Sequence, residues 1–397
     1  MKYNILAVSA CFAFLCCCND HPAHEHYNAE HVIDINNPPD ISIDDFIIDM
    51  DTIRLETTDE SLMKEADRVH IMDDRFYILT NDYTEILIFN LKGKFIAKIH
   101  DKGQGPDEYI RINSFMMDPV KKRIIIADSF SKRIFIYDRD GKQNRVINLD
   151  LSPEIIILQG ERFINVYSGS KQRYTNPEME NYNIHFLDSQ ANFVSSAIKT
   201  EIPRRIDIYS PSMIDCLENG DILFQPLLGN VVYKIAGDSI SAYYEFNNLS
   251  KYKLPTKDLK NDFEYAMVKG KSTKMPKEKE DEGYLLTWGN VHNLNDYLFF
   301  HFGWDKKRFL YYEKKTSRSL LIDPESVKGD KNLIKILFSY PKGIKGNRFY
   351  VSPSHFLINE VRAKITNGKI RTFLDNTGID GNPVIISFSI KFPEDRQ

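Results

Sequence analysis

The sequence predicts an all-β protein, a six-bladed β-propeller of four-stranded antiparallel blades, and three observations predict it. First, one unit is written twice. Arg75–Lys94 and Arg123–Lys142 share the same run of apolar, turn and apolar residues, and their glycines, Gly93 and Gly141, stand 48 positions apart. Second, short apolar strands recur at about 8–12-residue spacing, in units of four, with turn residues between them. Third, aromatic residues make up 12% of the chain, with 21 Tyr and 25 Phe against only 2 Trp, a bias that favours pleated surfaces. A lone four-stranded sheet exposes two apolar faces. Stacking such sheets radially buries both, which explains why the unit repeats.

The first eighteen residues are a targeting segment. Lys2 precedes the apolar run Ile5–Leu15, which is shorter than the ~20 residues a membrane-spanning helix needs. The run ends in Leu15-Cys16-Cys17-Cys18-Asn19, similar to a bacterial lipobox, in which a Cys is acylated and becomes the new N-terminus. Cys18 is the expected lipidated residue, because Leu15 then lies three residues before it. Cys16 and Cys17 occupy positions usually held by small residues, so the choice of cysteine stays open, as does a plain secretory signal. Four of the five cysteines fall here and only Cys216 remains in the body, which excludes an intrachain disulfide framework or a Cys-based zinc site. Residues 19–40 are polar and carry Pro22, Pro38 and Pro39, the composition of a flexible tether. His21, His24, His26 and His31 have the spacing of a solvated linker and of no closed metal site. Residues 41–397 form the propeller.

Ile41–Leu55 alternates in part and reads as one or two strands. Val69–Met72, Phe76–Leu79, Glu85–Phe89 and Phe95–Ile99 form a first meander. Asn113–Asp118, Arg123–Ala127, Arg133–Tyr137 and Arg145–Leu149 form the second, with Asp118-Pro119, Asp128-Ser129 and Asp140-Gly141 as turns. Glu161–Tyr167, Asn183–Leu187, Gly220–Gln225, Gly229–Ile235 and Ala242–Phe246 continue the pattern. An insertion of about 250–283 breaks it, with Lys257–Lys269 helical and Lys269–Glu282 a mixed-charge run without core signal. Strands are expected again at Tyr284–Trp288, Tyr297–Phe302, Arg308–Glu313, Ser319–Ile322, Ile336–Tyr340, Arg348–Val351, His355–Ile358 and Pro383–Ile390. Roughly 320 residues at ~50 per blade make about six blades. The ring must close, and the Ile41–Leu55 strands are placed to pair with Val384–Ile390 and clasp it.

Lys102-Gly-Gln-Gly-Pro-Asp-Glu-Tyr109, Phe115-Met-Met-Asp118, Ile126-Ala-Asp128, Lys132-Arg-Ile-Phe-Ile-Tyr-Asp138 and Gly141-Lys142 resemble the NHL-type repeat. More closely, they resemble the six-bladed β-propeller lipoproteins of Bacteroidota. Gly229-Asn-Val-Val-Tyr-Lys-Ile235 and Gly381-Asn-Pro-Val-Ile-Ile-Ser-Phe388 are similar to later signatures of that family. The resemblance implies the fold and a place in the cell envelope, lipid-anchored to the outer membrane on either its periplasmic or its surface side. It implies no particular activity.

Net charge is −4, with 52 basic and 56 acidic residues, and no basic field points to nucleic acid. The Gly103–Tyr109 loop lacks the Lys-Ser/Thr ending of a phosphate-binding loop and reads as a blade-to-blade connection. Asp128, before Lys132-Arg133, is a metal or catalytic carboxylate on one reading and a cap of its own turn on the other, favoured one. Arg133 shares that rim. His292, His301, Trp304, Asp305 and Arg308 form the densest late cluster: a Trp face stacks on a sugar ring, and Asp and Arg bond its hydroxyls. A core Trp in an ordinary blade is the competing account. The expected function is a binding module for glycan, peptide or partner protein, acting through the rim and without a cofactor. A metal-dependent lactonase or hydrolase in the central channel is the rival, and would need three or more carboxylate, amide or imidazole groups converging there. A structural scaffold in an envelope complex is a third reading.

Overall fold

The computed structural model describes residues 29–167, 176–200, 213–268, 274–339, 341–376 and 381–393. Cys18, His21, His24 and His26 lie outside them. Two N-terminal strands, β1 (His31–Ile35) and β2 (Ile47–Arg54), flank the short helix α1 (Ile43–Phe46). Blade 1 holds β3 (Arg68–Met72), β4 (Arg75–Thr80), β5 (Glu85–Asn90) and β6 (Phe95–Ile99). Blade 2 holds β7 (Ser114–Asp118), β8 (Arg123–Asp128), β9 (Arg133–Tyr137) and β10 (Gln143–Asn148). Blade 3 holds β11 (Ile155–Gln159), β12 (Arg162–Val166), β13 (Tyr182–Leu187) and β14 (Phe193–Lys199). Blade 4 holds β15 (Ile214–Cys216), β16 (Ile222–Phe224), β17 (Val231–Ala236) and β18 (Ser239–Asn248). The connection to blade 5 carries α2 (Lys257–Val268) and α3 (Met275–Asp281). Blade 5 holds β19 (Thr287–Asn293), β20 (Tyr297–Phe302), β21 (Arg308–Glu313) and β22 (Arg318–Ile322), and α4 (Lys331–Leu337) follows it. Blade 6 holds β23 (Gly343–Lys345), β24 (Arg348–Val351) and β25 (Val384–Ile390), with α5 (His355–Val361) and α6 (Gly368–Asp375) between the last two.

Six antiparallel sheets thus form the ring, which is a six-bladed β-propeller. The innermost strands β3 and β23 pack together and close it. Strand β2 completes blade 6 as its outermost strand, antiparallel to β25 from Ile47↔Ile390 to Arg54↔Val384. The strand that precedes blade 1 and the last strand therefore meet in one sheet, the clasp that Ile41–Leu55 was expected to supply. Residues 31–35, within the stretch read as tether, are strand β1, which pairs in parallel with β18 as a fifth strand on blade 4.

The repeated glycines serve blade stacking. Gly93 has φ +83°, and a Cβ there would lie 2.0 Å from the Arg54 carbonyl oxygen of the preceding blade. Gly141 has φ +84° and packs in the same way on Ile99 and Ile88 of blade 1. One position in each unit thus meets both a left-handed backbone and the neighbouring sheet, and at Gly93, where a Cβ would strike backbone, only glycine fits both demands. Tyr109 is fully buried among side chains of blades 1 and 2, edge-on to Phe135.

Two expected strands are helices. Residues 331–337 form α4 in place of a strand at Ile336–Tyr340, of which Tyr340 lies outside the described residues. Asp330 accepts N–H groups of Asn332 and Leu333, and Leu333, Ile334, Ile336 and Leu337 bury one helical face. Ser354 caps α5 through the Leu357 N–H, where His355–Ile358 was expected to be extended. Helix α6, capped by Asn367, had no counterpart in the sequence reading. No helix among the described residues is long and apolar enough to cross a membrane.

Candidate functional site on the propeller rim

Strand direction alternates within each blade. The connections between blades and the turns between second and third strands therefore open at the same end of the ring. At blade 2 this end is closed by its own polar groups. Asp128 is fully buried. It accepts the Ile110 and Phe130 N–H groups at 2.8 and 2.9 Å and the Ser131 hydroxyl at 2.7 Å. Arg133 donates to the carbonyls of Gly105 (2.8 Å) and Pro106 (3.2 Å), holding the loop of residues 103–109. Glu108 turns its carboxylate back onto the Gly105 N–H at 2.8 Å, where a bound phosphate would have to sit. These residues shape a turn and leave no open site.

At blade 5 the same end is differently built. The β20–β21 turn, residues 303–307, is held by Glu280 of α3. This carboxylate is buried, and it accepts the Trp304 N–H together with those of Asp305 and Lys306, both at 2.9 Å. Three donors on one carboxylate form a charge-assisted clamp. Lys277 pairs with Asp305, and Lys306 with Asp281 at 2.6 Å, exposed contacts of small energetic weight. The clamp presents Trp304 outward, 58% exposed, with its ring edge-on to the buried Trp288 at 5.7 Å. The charged run of α3, expected to lie outside the core, thus carries the side chain that fixes the corner.

The late cluster divides between two faces of blade 5. Arg308 is buried against the Tyr252 ring, 4.4 Å from guanidinium carbon to centroid, and faces Asp323 at 3.5 Å. It pairs with Phe302, whereas His301 pairs with Phe309 one register position away. Successive side chains point to opposite faces, so His301 and Arg308 do not meet. His301 stacks on Phe309 at 5.2 Å and lies 3.4 Å from Asn290, and burial, with Lys307 and His292 adding, pushes its pKa down to about 3. His292 lies on the innermost strand of blade 5, where burial lowers it to about 4. The rim corner therefore keeps Trp304 and Asp305, while His301 and Arg308 belong to the packing beneath.

A cleft of about 250 Å³ adjoins this corner, between the blade 5 turn, blade 6 and the approach to blade 1. Lys64, Lys307 and Lys342 reach it from three separate stretches, with Ser352 and His355 opposite. None of these lysines belongs to the expected cluster. Alternating patterns mark cores, and they carry no sign of which exposed lysines share a mouth. In the channel, His70 on β3 and Asp215 on β15 have pKa values moved by burial, to about 3 and about 7. Among the described residues no three His, Cys, Asp or Glu side chains are grouped to hold a metal ion.

A family model described as a domain of unknown function matches residues 30–389. No curated protein matches the chain in sequence. A solved structure of a Bacteroides fragilis protein, described there as exported, superposes with a TM-score of 0.72 at 17% identity, covering 91% of this chain and 100% of that one. A member of the DUF4221 family from Bacteroides vulgatus superposes with a TM-score of 0.51 at 11% identity, covering 87% of this chain and 97% of that one. Both likenesses are of fold.

Proposed function

The chain belongs to the DUF4934 family, a domain of unknown function that spans residues 30–389, and on that premise we propose that it is a cell-envelope binding module that engages a glycan, peptide or partner protein through the blade 5–6 rim. The observation that carries this is Trp304. A large apolar ring that is 58% exposed would normally be mobile, yet here its backbone is clamped by Glu280 and its ring packs in a T-shaped contact with Trp288. A rigid exposed aromatic loses little conformational freedom on binding, which is why Trp anchors so often dominate recognition. Asp128 and Arg133, also on this rim, act as loop supports in the same reading. The experiment is a glycan-array and peptide-library screen of the wild-type protein and Trp304→Ala. Ligands of the wild type should lose at least about tenfold in affinity with Trp304→Ala and be unaffected by Val120→Ala at the opposite end. Ligands indifferent to Trp304 would count against the assignment.

The same proposal places the protein on a membrane through a lipid on Cys18, supported by the leader sequence and by the described export of the Bacteroides fragilis protein of similar fold. Cys18→Ala should move the protein from the membrane to the soluble fraction on cell fractionation. Retention of that variant in membranes would remove Cys18 as the anchor.

A further inference from the structure

We propose that the lysine cleft beside the Trp304 corner is an acidic-carbohydrate site, which takes the carboxylate or sulfate of a charged sugar while the sugar ring lies against the exposed aromatics. This rests on the rim being the binding surface and names what binds there. The cleft, about 250 Å³, lies near the lower end of the ~300–1,000 Å³ typical of ligand pockets. It admits one sugar-sized unit and no folded partner. Lys64, on the approach to blade 1, Lys307, in the β20–β21 turn, and Lys342, just before β23, converge on it, and among the described residues none of the three makes an ion pair. Among the described residues the Lys342 ammonium donates to the Asp67 carbonyl oxygen, at 3.5 Å. Glu65 is the single carboxylate on the lining. Burial lowers the Lys342 pKa, with Asp67 and Glu65 opposing and Lys307 and Arg68 adding, so this ammonium is partly withdrawn from water.

The chemistry of the lining selects the ligand. Ammonium groups donate and cannot accept, while Ser339 and Ser352, whose hydroxyl protons go to the carbonyls of Ile336 and Val384, still offer oxygen lone pairs to a sugar's own hydroxyls. The bound group must therefore be rich in acceptors, as a carboxylate or sulfate with a ring oxygen beside it is. Two exposed aromatics stand next to lining residues in the chain: Trp304 is three residues before Lys307, within ~11 Å along the chain, and Phe356, 79% exposed, lies between His355 and Leu357. The C–H face of a pyranose covers such a ring.

The test is calorimetric titration of the purified mature protein with trigalacturonate, a sulfated disaccharide, maltotriose and a hexaglutamate peptide. Trigalacturonate or the sulfated disaccharide should bind, more weakly as salt rises. Lys307→Ala and Lys342→Ala should each lose at least about tenfold, with Lys92→Ala unchanged and the unfolding temperature of Lys307→Ala, an exposed position, unmoved. Hexaglutamate binding as tightly with the same lysine dependence would overturn the carbohydrate class. Maltotriose binding that Trp304→Ala removes and the lysine variants spare would overturn the inference while leaving the rim reading intact. No binding by any of the four probes would overturn it, and the rim reading would then stand or fall on the library screen alone.

Discussion

Glu280 is 2% exposed, and a carboxylate held that far from water is normally costly. Here three backbone N–H groups compensate it, so the cost is turned into a fixed conformation of residues 304–306. Glu280→Ala would leave those donors without their acceptor, a loss of roughly 1–3 kcal/mol. Thermal unfolding of the variant should show that decrease, and amide exchange at residues 304–306 should accelerate. Unchanged exchange there would mean that the turn holds itself. The contrast with Asp128 shows what a sequence discloses at this scale. Asp128 stands at the start of a turn within a visible repeat, so its capping role could be read directly. Glu280 stands in a run of seven residues that includes four other charges, and nothing local separates the one that turns inward. Lys64, Lys307 and Lys342 are equally silent, because they are brought together only by ring closure.

Turns repeat across blades more faithfully than side-chain identity suggests. Asn90, Asp138 and Asp188 each accept two backbone N–H groups of the turn that follows, and the left-handed position three residues on is Gly93, Gly141 and Ala191. The geometry persists where the glycine has gone, which is why the third copy was harder to read than the first two. Helices α4 and α5 were missed for another reason. A short apolar run has the same appearance in a buried strand and in one helical face, and the caps Asp330 and Ser354 were the deciding signals. The clasp was legible because a ring of blades must close and the Ile41–Leu55 strands precede the first full blade. Its anchor is Phe46, fully buried between Tyr311 at 5.2 Å and Phe338 at 6.4 Å, with its carbonyl accepting the Lys391 N–H. Phe46→Ala should cost about 3–5 kcal/mol in denaturant unfolding. A cost under 1 kcal/mol would show that the two ends meet without contributing to stability.

At the scale of the whole molecule, blades 1 and 2 follow the repeat with short turns, blade 3 carries a longer β12–β13 connection, and helices α2 to α6 enter only after the strands of blade 4. All of α2 to α6 lie in connections after β18, as do the corner, Trp304, Phe356 and most of the cleft lining, whereas Phe130, also exposed, stands on the β8–β9 turn. The regular half of the ring supplies a scaffold, and the irregular half supplies a surface. The fold could be read from the regular half, since burial of two sheet faces leaves a period. The surface could only be located as the place where the period fails, because solvent-facing residues answer to a ligand and to no packing rule.

The chain contains only 2 Trp, Trp288 and Trp304, and both stand at this corner, 5.7 Å apart. Tryptophan fluorescence therefore reports on the proposed site and on nothing else in the protein. The account predicts that any ligand found by the library screen will shift or quench that emission saturably, and that Trp304→Ala will abolish the change. A ligand that binds with full stoichiometry while leaving the emission untouched would contradict it.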